Sequence, residues 1–277
     1  MSKPDILMTR AGLASAVPAT AYDEYGRLRE LSLAAERALT IYLDKQEIVT
    51  LMTIGTHPEL LTLGYLRNQG LVPNLEDILA VQVDWEVEAV AVTTKTPNLP
   101  QVAEKLSRRT VTTGCGQGTV FGRLQDELEK IRLTPSPVKQ STLYDLLANI
   151  RHYNEVYKQA GAVHGCALCK ESEILFFCED VGRHNAVDAI AGFMWLEDIR
   201  GDDKIFYTTG RLTSEMVIKA AQMKIPVILS RSGTTQMGLE MAKKIGMTLI
   251  SRAKGKHFLV LNGVENVGYD ATLPEKD

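Results

Sequence analysis

The sequence predicts an α/β protein in which a three-layer α/β region on a largely parallel sheet follows a smaller α+β region. Two observations carry this. From about residue 161 onward, short apolar runs alternate with helical patterns, as when strands are joined through crossover helices. Before that point, period-two alternation dominates, and one strong helical stretch interrupts it.

The elements follow in order. "RALTIYLDKQEIVTLMTIG" alternates on both sides of Asp44-Lys45-Gln46 and predicts a hairpin. "THPELLTLGYLRNQGLV" predicts a helix, with Thr56 as N-cap, Pro58 in the first turn and Gly70 as its stop. "ILAVQVDWEVEAVAVTT" predicts two more strands, and a charged helix is expected around 123–132. The prolines of "TPSPVKQS" mark a connection. Leu143, Leu146, Leu147, Ile150, Val156 and Tyr157 then share one face of a long predicted helix. "AVHGCALC" and "EILFFCED" predict neighbouring strands, followed by a helix over 184–198. "KIFYTTG", "PVILS" and "MTLIS" are strands separated by helices over 213–224 and 235–246, and "HFLVLNG" is a last strand. The expected organisation is a disordered lead-in over 1–20, an α+β domain over 21–140 and an α/β domain over 141–277.

The 277 residues, 45% hydrophobic and 23% charged with a net charge of −3, describe an ordinary globular protein. The mild acidity argues against duplex nucleic acid as a partner, and no apolar run is long enough to span a membrane. No secretory h-region is present near the N-terminus. The four cysteines are therefore expected in a reducing cytoplasm, without disulfides.

Their chemistry divides by setting. Cys115 lies in "TTGCGQGTVFG", flanked by Gly114 and Gly116, with Arg108 and Arg109 upstream. Polar neighbours and glycines predict an exposed loop, where the choice is between a reactive thiol and a small hydrophobe in a turn. Cys166 and Cys169 form a C-x-x-C inside a predicted strand, which favours packing over zinc or redox chemistry. His57, Glu59 and that cysteine pair imitate a zinc deaminase, but the cysteines follow Gly165 rather than proline. No metal site is expected.

Polar loops recur at successive predicted strand ends. "EDVGRHNAVD" holds Arg183 and His184 among four further polar groups at a helix start. "TTGRLTSEM" places Arg211 after Gly210, with Thr213 or Ser214 as a cap, and "SRSGTTQ" repeats the idea. "SRAKGKHF" is a basic turn. Open α/β sheets bind ligands at their strand C-terminal ends, so the set points to a large phosphate-bearing ligand.

Together these stretches resemble the formate dehydrogenase accessory sulfurtransferase (FdhD) family, from about residue 20 to residue 262, with "DVGRHNAVD" the most specific. The resemblance implies a cytidine-deaminase-like fold without zinc for the second domain. It implies a sulfur carrier in which Cys115 takes persulfide sulfur from a cysteine desulfurase. The sulfur would pass to the bis-guanylated molybdenum (or tungsten) pterin cofactor, the substrate, before its insertion into formate dehydrogenase. Arg252, Ala253, Lys254, Gly255, Lys256 and His257 would contact that cofactor, with Arg183, His184 and Arg211. A homodimer is implied as well. One departure stands out: relatives usually carry C-G-x-C in the loop, and here the second position is Gly118. Either Cys115 suffices, or Cys166 or Cys169 assists, or the chain only binds and protects the cofactor.

Overall fold

The computed structural model describes residues 5–97 and 131–272. By its contacts the chain forms two compact units, each assembled from separated stretches rather than divided once near residue 140. Unit 1 takes Met1–Leu124, Asn154–Cys166 and Cys178–Ile199; unit 2 takes Gln125–Tyr153, Ala167–Phe177 and Arg200–Asp277.

Unit 1 is built on a five-stranded sheet. Its strands are β1 (Leu7–Met8), β4 (Arg37–Leu43), β5 (Gln46–Thr53), β6 (Ile78–Asp84) and β7 (Ala89–Thr94), in the order β1-β6-β7-β4-β5. The predicted hairpin is β4–β5, turning on Asp44 and Lys45, both at positive φ (47° and 70°). That left-handed pair matches the twist of the strands it joins. The Asp44 carboxylate then accepts from Thr94 N and Oγ1 at 2.8 and 2.6 Å, tying the turn to β7.

The lead-in expected over 1–20 is structured from residue 5 onward. Leu7–Met8 pairs parallel to β6, and β2 (Ala16–Tyr22) forms an antiparallel ribbon with β3 (Leu28–Ala34). The reason is a long-range anchor. The Glu59 carboxylate accepts from Thr9 Oγ1 and from Ala11 N at 2.8 and 2.7 Å, and Trp85 Nε1 donates to Ala11 O at 2.6 Å.

Helix α1 (Pro58–Asn68) starts at His57 rather than Thr56, with no capping side chain. It ends as predicted. Gly70, at φ 61°, donates to Arg67 O, and Leu71 N donates to Leu66 O, both at 2.9 Å. Leu61, Leu63, Tyr65 and Leu66 are all buried.

Unit 2 holds most of a six-stranded sheet in the order β10-β9-β11-β12-β13-β14. Its strands are β9 (His164–Lys170), β10 (Glu173–Asp180), β11 (Ile205–Thr208), β12 (Val227–Ser230), β13 (Thr248–Lys254) and β14 (His257–Asn262). β11, β12 and β13 are parallel neighbours and β14 runs antiparallel to β13. A short pair, β8 (Val138–Lys139) with β15 (Val267–Gly268), is parallel too.

The long helix predicted over 143–157 is instead two helices: α2 (Gln140–Ile150) in unit 2 and α3 (Glu155–Ala160) in unit 1. The break falls at Arg151–Asn154, where the backbone turns, and Glu179 caps the restart: its carboxylate accepts from Val156 N and Tyr157 N at 2.9 Å each. The apolar face of α2 packs Leu143, Leu146, Leu147 and Ile150 against Ile205, Tyr207, Val227, Leu229 and Ile250 of the sheet. The alternate residues Phe206, Ile228 and Leu249 are also fully buried, so both faces of the parallel strands are covered. The remaining α-helices among the described residues are α4 (Arg183–Leu196) in unit 1, and α5 (Ser214–Gln222) and α6 (Gln236–Ile245) in unit 2. The charged helix expected around 123–132 lies outside the described residues, except for its last two positions.

Candidate functional site at three parallel strand ends

In unit 2, the loops that leave β11, β12 and β13 are knitted into one surface. Gly210 N donates to Thr208 Oγ1 at 3.0 Å, and Ser230 Oγ donates to Gly210 O at 2.7 Å. Ser232 N returns a bond to Ser230 Oγ at 2.9 Å. Leu212 N donates to Gly233 O, and Thr235 N to Leu212 O, both at 3.0 Å. The side chains that could have bonded solvent therefore hold loop backbone, which makes the rim rigid.

Three exposed arginines sit on it, one per strand: Arg211, Arg231 and Arg252. Arg231 N donates to Thr208 O at 3.0 Å and Arg252 N to Ser232 O at 2.9 Å, so each is tied to the end of the preceding strand. Adjacent strands lie about 4.8 Å apart, close enough for neighbouring guanidiniums to share one polyanion. Arg252 is held at φ 52°, in a register shift between Ser251 and Lys254. A non-glycine residue there costs about 1 kcal/mol or more, and such bulges recur where a side chain must be re-aimed next to a site.

The predicted basic turn divides by role. Ala253 is buried in the core beneath the rim. Lys254 pairs with His257 across a tight hairpin whose tip is Gly255, at φ 62°, and Lys256. Lys254, Lys256 and His257 are exposed. Among the described residues, none of Arg211, Arg231, Arg252, Lys254 or Lys256 has a carboxylate partner, so the rim's positive charge is open to a ligand. Thr213 is the N-cap residue of α5, as predicted, but its hydroxyl makes no capping bond; Oγ1 is buried and without a partner.

Arg183 and His184 belong to unit 1, at the first turn of α4, and are 6% and 3% exposed. The polar residues around them hold the unit together. Asp180 accepts from Thr53 Oγ1 at 2.5 Å and Ile54 N at 3.3 Å through one oxygen. Its other oxygen accepts from Gly182 N at 2.9 Å and Asn185 Nδ2 at 2.8 Å. Asp188 accepts from Asn68 at 2.6 Å. Burial raises both Glu179 and Asp180 from their ordinary carboxylate values, against the pull of these bonds.

Cys115 lies outside the described residues, as do Arg108 and Arg109. Cys166 and Cys169 are fully enclosed in β9, and Cys178 is 3% exposed in β10. Burial pushes the thiols of Cys169 and Cys178 up, so they stay protonated and poorly nucleophilic. His57 and Glu59, the other parts of the deaminase imitation, serve α1: one is its N-cap residue and the other anchors the N-terminal segment.

Arg231 is the member of this surface that the sequence reading did not single out, although its loop was named; Thr213 was named only as a cap. The signal for Arg231 was present: "VILSR" and "TLISR" end two neighbouring strands on the same Ser-Arg pair.

Among the described residues this is an α/β protein with a basic rim, lacking carboxylate partners, across the C-terminal ends of three parallel strands, an arrangement whose chemistry suits anionic groups. The chain belongs to the FdhD/NarQ family, whose model matches residues 34–268. It is 31% identical over 251 residues to the sulfur carrier protein FdhD of Listeria innocua, covering 88% of this chain and 95% of that one. With the sulfur carrier protein FdhD of Bacillus subtilis it shares 27% identity over 236 residues, 85% of this chain and 90% of the relative. Among solved structures it is similar to a crystal structure described as a formate dehydrogenase accessory protein from Desulfotalea psychrophila. The TM-score is 0.72 at 25% identity, covering 91% of this chain and 98% of that one. Among the described residues, no helix is long and apolar enough to cross a membrane.

Proposed function

We propose that this protein is a sulfurtransferase that carries sulfur as a persulfide on Cys115 and delivers it to the bis-guanylated molybdenum (or tungsten) pterin cofactor, for use by formate dehydrogenase. A cysteine desulfurase loads the thiol. At hand-over the acceptor supplies an electron pair to the outer sulfur and is oxidised by two electrons; the S–S bond breaks with its pair left on the Cys115 sulfur, and that thiolate takes up a proton to return as the thiol. In this reading Arg211, Arg252, Lys254, Lys256 and His257 meet the phosphates of the cofactor, Arg231 joins them, and Arg183 and His184 form a further contact. The working protein is a cytoplasmic homodimer, and unit 2 follows the cytidine-deaminase-like plan that the family resemblance implies.

The observation that carries the reading is the row of three exposed arginines, without carboxylate partners among the described residues, on a hydrogen-bonded rim in a chain of the FdhD/NarQ family. The burial of Cys166, Cys169 and Cys178 supports Cys115 as the carrier by leaving it as the remaining thiol. Gly118 at the usual second cysteine position favours one alternative, a chaperone that binds the cofactor without thiol chemistry. Cys115→Ala separates the two. Formate dehydrogenase activation in cells lacking the native protein should fall to background for the carrier; retained activation would leave the chaperone.

A further inference from the structure

Arg151 lies outside every stretch that carries the family resemblance, yet the fold brings it to the basic turn between β13 and β14. It is exposed, it is the C-cap residue of α2, and it belongs to unit 2 with that hairpin. A cation at a helix C-terminus can rest on the last carbonyls, where the dipole is negative. The Arg151 side chain makes no such bond, and no ion pair, among the described residues. Its guanidinium reaches the hairpin tip instead: Nη2 stands 3.7 Å from the place a Cβ on Gly255 would take.

The tip leaves that space open. Gly255 sits at φ 62°, a conformation that favours glycine, and a side chain there would press on the guanidinium. Lys254 and Lys256 flank Gly255 in the chain, both exposed and both without a carboxylate partner among the described residues. Three positive groups gathered at one tight turn repel one another, and a shared anion turns that repulsion into attraction. They are not equivalent groups. Each ammonium is a point charge, whereas the guanidinium offers a planar fork that grips two oxygens of one phosphate and so fixes its orientation.

We propose that Arg151 is a further binding residue of the substrate site, its guanidinium holding and orienting one phosphate group of the ligand together with Lys254 and Lys256. This rests on the proposed function, which gives the turn to the cofactor's phosphates, and adds to it a residue from a different element.

The experiment measures the binding of GDP and of guanosine to the full chain by titration calorimetry over a range of salt concentrations. Arg151→Ala should weaken GDP about tenfold and flatten its salt dependence, while guanosine, which has no phosphate, should bind as it does to wild type. Arg151→Lys keeps the charge and loses the fork, so it should restore the salt dependence without restoring the affinity. Combined with Lys256→Ala, the loss should be smaller than the sum of the two single losses, because both side chains act on one phosphate. Lys244→Ala removes the same charge near the end of α6 and should bind GDP as wild type does. GDP affinity unchanged in Arg151→Ala but weakened in Lys256→Ala overturns the role of Arg151 and leaves the reading of the turn standing. Affinity unchanged in both, or no binding of GDP to wild type, overturns the two together. An equal loss in Lys244→Ala would reduce the effect to the overall charge of the unit and also overturns it.

Discussion

His57 shows how one residue's surroundings set a measurable property. It opens α1 at its N-cap position, and burial holds its imidazole below the ordinary value of 6.5. The unfolded chain then binds a proton more readily than the folded one. Its contribution to stability is complete above about pH 6.5 and is lost as pH falls through the lowered folded value. Chemical denaturation of wild type and His57→Gln between pH 5 and 8 should show the wild-type midpoint falling more steeply on acidification; parallel curves would remove His57 from the account. The placement was half legible. Pro58 and Glu59 marked the first turn correctly, but the cap is His57 rather than Thr56, and the bonds from Thr9 and Ala11 to Glu59, residues distant in sequence, could not be read locally. For the cysteines, the two-residue period of a strand favoured packing of the C-x-x-C, and both Cys166 and Cys169 are buried.

At the scale of elements, two backbone features bear most on the architecture. Helices α1 and α4 meet through glycines. A Cβ on Gly64 would stand 1.7 Å from Asp188 O, and one on Gly192 would stand 1.9 Å from Leu60 O. Neither backbone can yield without separating the helices, so Gly64→Ala and Gly192→Ala should each destabilise by about 3 kcal/mol or more in urea titrations. Gly233→Ala, with nothing within 4 Å, is the control and should change little. A loss in the control as large as in the helix variants would show that the close crossing is not the cause. In a single sequence these glycines read only as weak helix formers, because the demand for closeness comes from a partner about 120 residues away. The second feature is the bulge at Arg252. Arg252→Gly relieves the positive φ and should raise stability by about 1 kcal/mol, while weakening the binding of GDP and flattening its salt dependence. Unchanged GDP affinity would take Arg252 out of the site.

For the whole molecule, local periodicity was a good guide to the strands and helices of unit 2 and a poor one to the units themselves. β11, β12 and β13 read as apolar runs because both their faces are buried, and the Gly and Ser-Arg punctuation after them marked where the rim would form. The interleaving of units was not legible. It depends on β9 and β10 contributing to both, and on one apolar face that the sequence continues smoothly from Ile150 to Val156 while the chain breaks it. The β2–β3 ribbon was missed for a similar reason, since its pairing is mostly exposed and leaves little hydrophobic alternation to read. Sulfur carriage is the claim on which the molecule's function turns. Its most direct test is the mass of each cysteine-containing peptide after incubation with a cysteine desulfurase and cysteine. The predicted result is the gain of one sulfur atom on Cys115, removed by a thiol reductant; sulfur on Cys166, Cys169 or Cys178 instead, or on no cysteine at all, would contradict the account.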